Sequence, residues 1–200
     1  FTVRSIDGAT QDVFVTITGV NDAPVVAGDA VGAVTEDANT PMLSDTGSLT
    51  ISDPDSDEAE FQTTGITASS GALGLLSVTA GGAWTYTVDN VLVQYLKAGE
   101  TKTETFTVKS VDGTTQDVVV TITGINDAPA IGGDAVGAVT EDDTTLTLTD
   151  TGTLTISDAD TGEDAFQTTG ITASAGALGS LSITAGGAWT YTVDNAVVQY

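Results

Sequence analysis

Carboxylates supply most of the chemistry this sequence can offer, and they recur in clusters. Glu36-Asp37 is matched 105 residues later by Glu141-Asp142-Asp143. Asp53-Pro54-Asp55-Ser56-Asp57-Glu58 is matched by Asp158-Ala159-Asp160, followed by Glu163-Asp164. Asn21-Asp22 is matched by Asn126-Asp127. Calcium is a hard cation that takes about six to eight oxygen ligands. Asp-X-Asp sets two carboxylates close together in a turn, and Asn side chains and backbone carbonyls complete such a shell without adding charge. Asp and Asn also favour turns for purely local hydrogen-bonding reasons. Calcium is favoured over that reading because three oxygen-rich clusters recur at fixed places. Asp7 and Asp112 each precede a glycine, where the turn alone accounts for an aspartate. Asp45, Asp150, Asp89 and Asp194 read as solvated turn residues, and Asp12 and Asp117 as solvent-facing strand residues.

The other chemistries fall away on composition. The 200 residues carry 28 Asp and Glu against 4 Lys and Arg, and no His. The bases are Arg4, Lys97, Lys102 and Lys109. Nucleic-acid binding needs clustered Lys and Arg to replace counterions, so it is excluded. Docking onto an anionic bilayer fails for the same reason. The natural partner of this surface is a cation. With no Cys there is no disulfide framework, zinc thiolate site or Cys nucleophile, and an extracellular protein of this kind needs another staple, such as a metal. No nucleophile elbow or phosphate loop is present. Paired carboxylates can hydrolyse glycosides, but here a whole active site would have to be duplicated in each repeat without an aromatic cleft. The chain reads as non-enzymatic. No stretch reaches the length of a membrane span. The sequence opens at Phe1 on a strand-like pattern, which predicts an excerpt of a longer protein.

The elements that position these carboxylates are set by an internal repeat. FTVRSIDG at Phe1–Gly8 returns as FTVKSVDG at Phe106–Gly113, and GGAWTYTVDN at Gly81–Asn90 returns at Gly186–Asn195. Every offset is 105 without a gap, and about 71 of the 95 comparable positions are identical. The predicted organisation is the C-terminal strands and linker of a preceding repeat at 1–24, a complete repeat at 25–127, and a following repeat at 128–200 that stops before its last strands.

Alternating β-branched residues predict strands at Val118–Ile125 and Thr103–Val111, with a hairpin turn at Asp112-Gly113. Leu75–Thr79 and Ala83–Val88 read as a second hairpin, and Leu49–Ser52 and Gly65–Ala68 as shorter strands. About seven short strands in roughly 100 residues predict an all-β fold: tandem β-sandwich repeats of immunoglobulin or cadherin type. The predicted core is Trp84, Tyr86, Phe61, Ile66, Leu76, Phe106, Val108, Val118, Val120 and Ile122. A sugar-stacking platform is the functional alternative for Trp84 and Tyr86, but a single Trp in a sandwich is ordinarily core.

LTDTGTLTISDADTGEDAFQ, GALGSLSITAGGAWTYTVDN and VQYLKAGETKTETFTVKSVDGTTQDVVVTITGINDAPA together resemble the VCBS repeat of very large secreted bacterial proteins, including RTX-type and biofilm adhesins. The resemblance covers the whole chain. It implies a cadherin-like sandwich, export to the cell surface and calcium at the repeat junctions. Carried over by position, Glu36 and Asp112 would meet Asn126 and Asp127 of the linker and Asp158 and Asp160 of the next repeat. Asn21 and Asp22 would meet Asp53 and Asp55, with Asp7 from the preceding tail. One departure is that Gly162 stands where the first copy has Asp57.

The function expected is a calcium-stiffened extender of an extracellular adhesin or fibre, partnered by neighbouring repeats and reaching a glycan or cell-surface ligand through other domains. Two alternatives are repeats that are themselves adhesive, binding glycan or one another, and subunits that join head to tail by lending the hairpin at Phe1–Gly19 to the repeat at 128–200.

Overall fold

The computed structural model describes residues 1–55 and 57–199. The N-terminal tail forms a hairpin of β1 (Thr2–Arg4) and β2 (Thr10–Asp12). The complete repeat contains β3 (Val25–Gly28), β4 (Val31–Thr35), β5 (Met42–Ser52), β6 (Thr67–Ala68), β7 (Leu75–Val78), β8 (Ala83–Asp89), β9 (Thr101–Lys109) and β10 (Thr115–Thr123). The following repeat contributes β11 (Ala130–Gly133), β12 (Thr147–Ser157), β13 (Ser180–Ile183) and β14 (Ala188–Asp194). Among the described residues the only helical pieces are 3₁₀ turns at Asn90–Leu92 and Asn195–Val197, and no helix is long and apolar enough to cross a membrane. The fold is all-β, as tandem sandwich repeats require.

Two four-stranded sheets form the complete sandwich, in the orders β3-β5-β8-β7 and β4-β10-β9-β6. The first strand of the repeat is split between them. At Gly28 the chain adopts φ +99, where a Cβ would lie 2.6 Å from the Ser48 carbonyl oxygen; glycine alone accepts both conditions. The chain then crosses to the other sheet and continues as β4, parallel to β10, with Val31 opposite Val119 and Thr35 opposite Thr123. Trp84 fixes the crossover from below: its indole N–H donates to the Asp29 carbonyl at 2.7 Å. Trp189 repeats this contact with Asp134 at 2.7 Å.

The core lies between the sheets, because β8, β9 and β10 alternate buried and outward residues with the period of two that strands impose. Trp84, Tyr86, Phe106, Val108, Val118, Val120 and Ile122 are all buried; Ile66 and Leu76 are half-buried at its margin. Tyr86 and Phe106 pack edge to face with centroids 5.7 Å apart. Gly47 makes room for Trp84, since a Cβ there would meet the indole ring at 2.4 Å. One carboxylate is buried in this core. Glu104 accepts from the Tyr86 hydroxyl at 2.9 Å and from the backbone N–H groups of Leu73 at 2.6 Å and Gly74 at 3.1 Å. Burial and this carboxylate push the Tyr86 phenol far above its ordinary range.

In the following repeat β11-β12-β14-β13 reproduces the first sheet. Trp189 and Tyr191 line a groove with Gly137, Leu154, Leu181 and Ile183. At the other end of the chain Phe1, Val15 and Ile17 are exposed, whereas their counterparts Phe106, Val120 and Ile122 are core.

The structure corrects two readings of aspartates. Asp45 and Asp150 are not turn residues but lie in the middle of β5 and β12. Asp45 accepts from the Ala33 N–H at 2.7 Å, and Asp150 from the Ala138 N–H at 2.6 Å, so each ties one sheet to the segment crossing above it.

A candidate metal centre at the joint between repeats

The parallel pairing of β4 and β10 decides where Glu36 lies. Thr35 faces Thr123 at the end of β10, so Glu36 emerges beside the chain leaving for the linker. It is buried, and its Oε2 accepts from the Ile125 N–H at 2.9 Å. The Glu36 N–H donates to the Thr123 carbonyl at 2.9 Å, completing the strap.

The linker then hands over to the next repeat. The Asp127 N–H donates to Asp160 Oδ2 at 2.9 Å, and the Asp160 N–H donates to Asp158 Oδ1 at 2.9 Å. The same pair of bonds recurs one repeat earlier: Asp22 N–H to Asp55 Oδ2 at 2.7 Å, and Asp55 N–H to Asp53 Oδ1 at 2.8 Å. Asn126 and Asn21 each donate to the carbonyl of the following aspartate. A Thr161 N–H to Tyr95 carbonyl bond of 3.1 Å and a Lys97–Glu163 ion pair of 3.8 Å also cross the joint. The ion pair is solvated and contributes about 0–1 kcal/mol.

The electrostatics of this joint are one-sided. Burial, then the carboxylates of Asp127, Asp37 and Asp160, hold Glu36 above the ordinary glutamate range against the lowering pull of the Ile125 N–H. Burial and the charges of Asp37, Asp160 and Asp158 raise Asp127 in the same way. Asp160 is 1% exposed, yet among the described residues its Oδ1 has no hydrogen-bond partner, and neither does the buried Oδ2 of Asp127. At the earlier joint Asp53 Oδ2 likewise has no partner among the described residues. Buried oxygens of this kind cost about 1–3 kcal/mol each, more when charged, unless something satisfies them. A hard cation would do so, and an all-oxygen donor set of carboxylates, Asn amides and carbonyls suits calcium. Among the described residues no three acidic side chains are already gathered tightly enough to grip an ion.

The sequence-derived candidates divide by position. Glu36, Asn126, Asp127, Asp158 and Asp160 come together at one joint, and Asn21, Asp22, Asp53 and Asp55 at the other. Asp112 does not belong with Asn126. The β9–β10 hairpin reverses at Asp112, eight strand steps from the Thr101–Thr123 end, which is about 27 Å at a strand's rise per residue. Asp112 instead adds its charge to Asp55 and Asp53 in raising Glu58, after burial. The Ser110 hydroxyl and the Thr114 N–H and hydroxyl hold Asp112 below its ordinary range, outweighing the desolvation that opposes them. Asp7 is the same turn residue in the β1–β2 hairpin, lowered by Ser5 and the Ala9 backbone, and its carboxylate accepts from the Ser5 hydroxyl within that turn.

Two residues at the joint, Asn90 and Gln94, were not singled out from the sequence, and Asp37, read there as half of an acidic pair, was not carried into the ligand set. Asp37 sits at φ 58. Asn90 accepts from its N–H at 3.0 Å and donates back to its Oδ1 at 2.6 Å. Gln94 reaches both Glu36 and Asp37. The available signal was that Asp37, Asn90 and Gln94 all recur at the 105-residue offset, as Asp142, Asn195 and Gln199.

A split first strand, a two-sheet core and an acidic joint define a cadherin-type repeat. The chain belongs to the bacterial cadherin-like domain family, which matches residues 21–124; residues 126–199 match the bacterial Ig domain. No curated protein sequence matches the chain. Among solved structures it is similar to the protocadherin GammaB4 extracellular domain, at 16% identity and a TM-score of 0.48 over 89% of this chain and 28% of that one. It is also similar to the surface layer protein SbsC, domains 1–6, at 17% identity and a TM-score of 0.34 over 97% of this chain and 27% of that one. A third likeness is to a Ca2+-stabilized adhesin that helps an Antarctic bacterium reach out and bind ice, at 19% identity and a TM-score of 0.28, over 98% of this chain and 47% of that one. The chain spans less than half the length of each of these structures.

Proposed function

We propose that this chain is a run of extender repeats, of the VCBS type, from a bacterial cell-surface or secreted adhesin or fibre that supports adhesion or biofilm formation. Repeat boundaries fall at the NDAP linkers, so that 25–127 is one unit. Its joints bind calcium. Glu36, Asn126, Asp127, Asp158 and Asp160 would hold ions at one joint, and Asn21, Asp22, Asp53 and Asp55 at the other. The chain's work is mechanical and not catalytic, and its immediate partners are the neighbouring repeats.

The observation that carries this reading is the unpartnered, buried Oδ1 of Asp160 beside the unpartnered Oδ2 of Asp127, where two repeats meet. Bound calcium would neutralise the clustered carboxylates and cross-link residues of both repeats. Asp127 already ties the linker to the next repeat through Asp160, and Glu36 ties it to the previous one through Ile125. The joint is therefore preorganised along the chain and destabilised in charge.

Small-angle scattering and thermal melting of the chain, with millimolar calcium and with excess chelator, test the proposal. Calcium at a hundredfold excess over its Kd adds about 2.7 kcal/mol per site, so the melting temperature rises and the particle lengthens and stiffens. Coincident melting curves and scattering profiles in the two conditions would overturn it.

A further inference from the structure

Resting on the calcium reading above, we propose that Gln94 and Asn90 are positioning residues that present the Glu36–Asp37 carboxylate pair to a divalent cation at the Asn126 joint. The geometry is specific. Gln94 Nε2 donates to Glu36 Oε1 at 2.8 Å and to Asp37 Oδ1 at 3.1 Å, bridging two like charges. Both partners are carboxylate oxygens, which only accept, so chemistry fixes which end of the amide faces them. Asn90 grips Asp37 from the other side, accepting from its backbone N–H and donating to its Oδ1. This reciprocal clamp holds Asp37 in the left-handed backbone region, which aspartate tolerates better than most residues. The two amides stand four positions apart, at the start of and just beyond the 3₁₀ turn, and Asp89 caps that turn by accepting from the Val91 N–H at 3.1 Å.

The choice of amides matters. A carboxylate pair this close needs donors to remain together, and Lys or Arg would supply them more strongly. A fixed positive charge would also cancel the pair and repel an incoming cation. Gln and Asn donate without charge, so the negative potential survives. They leave Asp37 Oδ2 and further lone pairs on Glu36 free to face the joint. The following repeat keeps the same set. Asn195 accepts from the Asp142 N–H at 3.4 Å, and Gln199 donates to the Asp142 carbonyl at 3.3 Å. There Glu141 is exposed, and neither amide touches its carboxylate.

Supporting partners of metal ligands typically change affinity about 10- to 100-fold when removed. Calcium titration calorimetry on the full chain would compare the parent with Gln94→Leu and Gln94→Glu, each also melted in excess chelator. The expected result is a loss of tenfold or more in affinity for one class of sites in Gln94→Leu. Its chelated melting temperature falls by less than its melting temperature in calcium, because the lost hydrogen bonds weaken the fold in both conditions and the lost cation binding in calcium alone. Gln94→Glu restores nothing, because a third carboxylate repels the pair. Unchanged affinity in Gln94→Leu would overturn the inference. So would parent-like affinity in Gln94→Glu, which would make residue 94 a ligand. A fall in chelated melting temperature as large as the fall in calcium would make the role merely structural and also overturn it. A parent chain that takes up no calcium would overturn the calcium reading itself, and this inference with it.

Discussion

Ile125 donates its backbone N–H to Glu36 across 89 positions of sequence, and this bond joins the first strand of the repeat to the chain leaving its last. It makes the exit of one repeat and the acidic pair at its end a single structural unit. Changes at the joint should therefore register both in stability and in cation binding, with signs that depend on which is measured.

Asp160→Asn should separate the two effects. The substitution removes a buried charge whose Oδ1 is unpartnered, while an amide oxygen can still accept from the Asp127 N–H. In chelator the variant should melt higher than the parent, and in calcium it should melt lower. Differential scanning calorimetry under both conditions checks this. The same sign of change in both would contradict the assignment of Asp160 to the joint's charge cluster.

The raised carboxyls make a second prediction. Glu36 and Asp127 sit above the ordinary values of 4.5 and 3.8, and Glu58 sits above 4.5. As pH falls from neutral through the raised values, the folded protein takes up protons before the unfolded chain does. Its stability therefore increases and levels off near the ordinary values. Asp112 and Asp142 act in the opposite sense. Asp142 is lowered to about 2 by Thr145 and Thr144, and its contribution is lost as pH falls from 3.8 towards that value. In chelator the melting temperature should thus be higher at pH 5 than at pH 7 and fall again below about pH 4. In saturating calcium the order of pH 5 and pH 7 should reverse, because protonation competes with the ion. A chelated melting temperature that drops steadily from pH 7 would refute the linkage.

The buried polar cluster in the core gives a third. Glu104→Leu strands the Tyr86 hydroxyl and the Leu73 and Gly74 N–H groups, at about 1–3 kcal/mol for each unsatisfied group, whereas Tyr86→Phe removes one donor from a carboxylate that keeps two. Urea denaturation should show a loss of about 3 kcal/mol or more for the first and about 1 kcal/mol for the second. Equal losses would mean that the Leu73–Gly74 loop does not depend on Glu104.

The fold was legible where side chains alternate. The strands at Thr101–Lys109, Thr115–Thr123 and Ala83–Asp89 follow β-branched and aromatic residues placed every second position. Only the end of β5 was visible, because Ser44, Asp45, Thr46 and Gly47 carry no apolar signal. Gly47 is there to receive Trp84, and Asp45 to reach β4. At the joint, Asp-X-Asp and Asn-Asp were legible as oxygen-rich turns. Which end of the sandwich a turn occupies depends on strand direction, and that misplaced Asp112. Asn90 and Gln94 were silent because an uncharged amide next to a turn looks like any solvated residue until its partners are known.

The parallel run of β4 beside β10 has a consequence under load. Tension along an array of such repeats enters through the linker at Asn21 and leaves through the linker at Asn126. It pulls the two strands in opposite directions along their shared axis. The pairs from Val31–Val119 to Thr35–Thr123 are then strained together and not one after another. A sandwich built this way cannot peel from one end. It holds until a whole ladder slips.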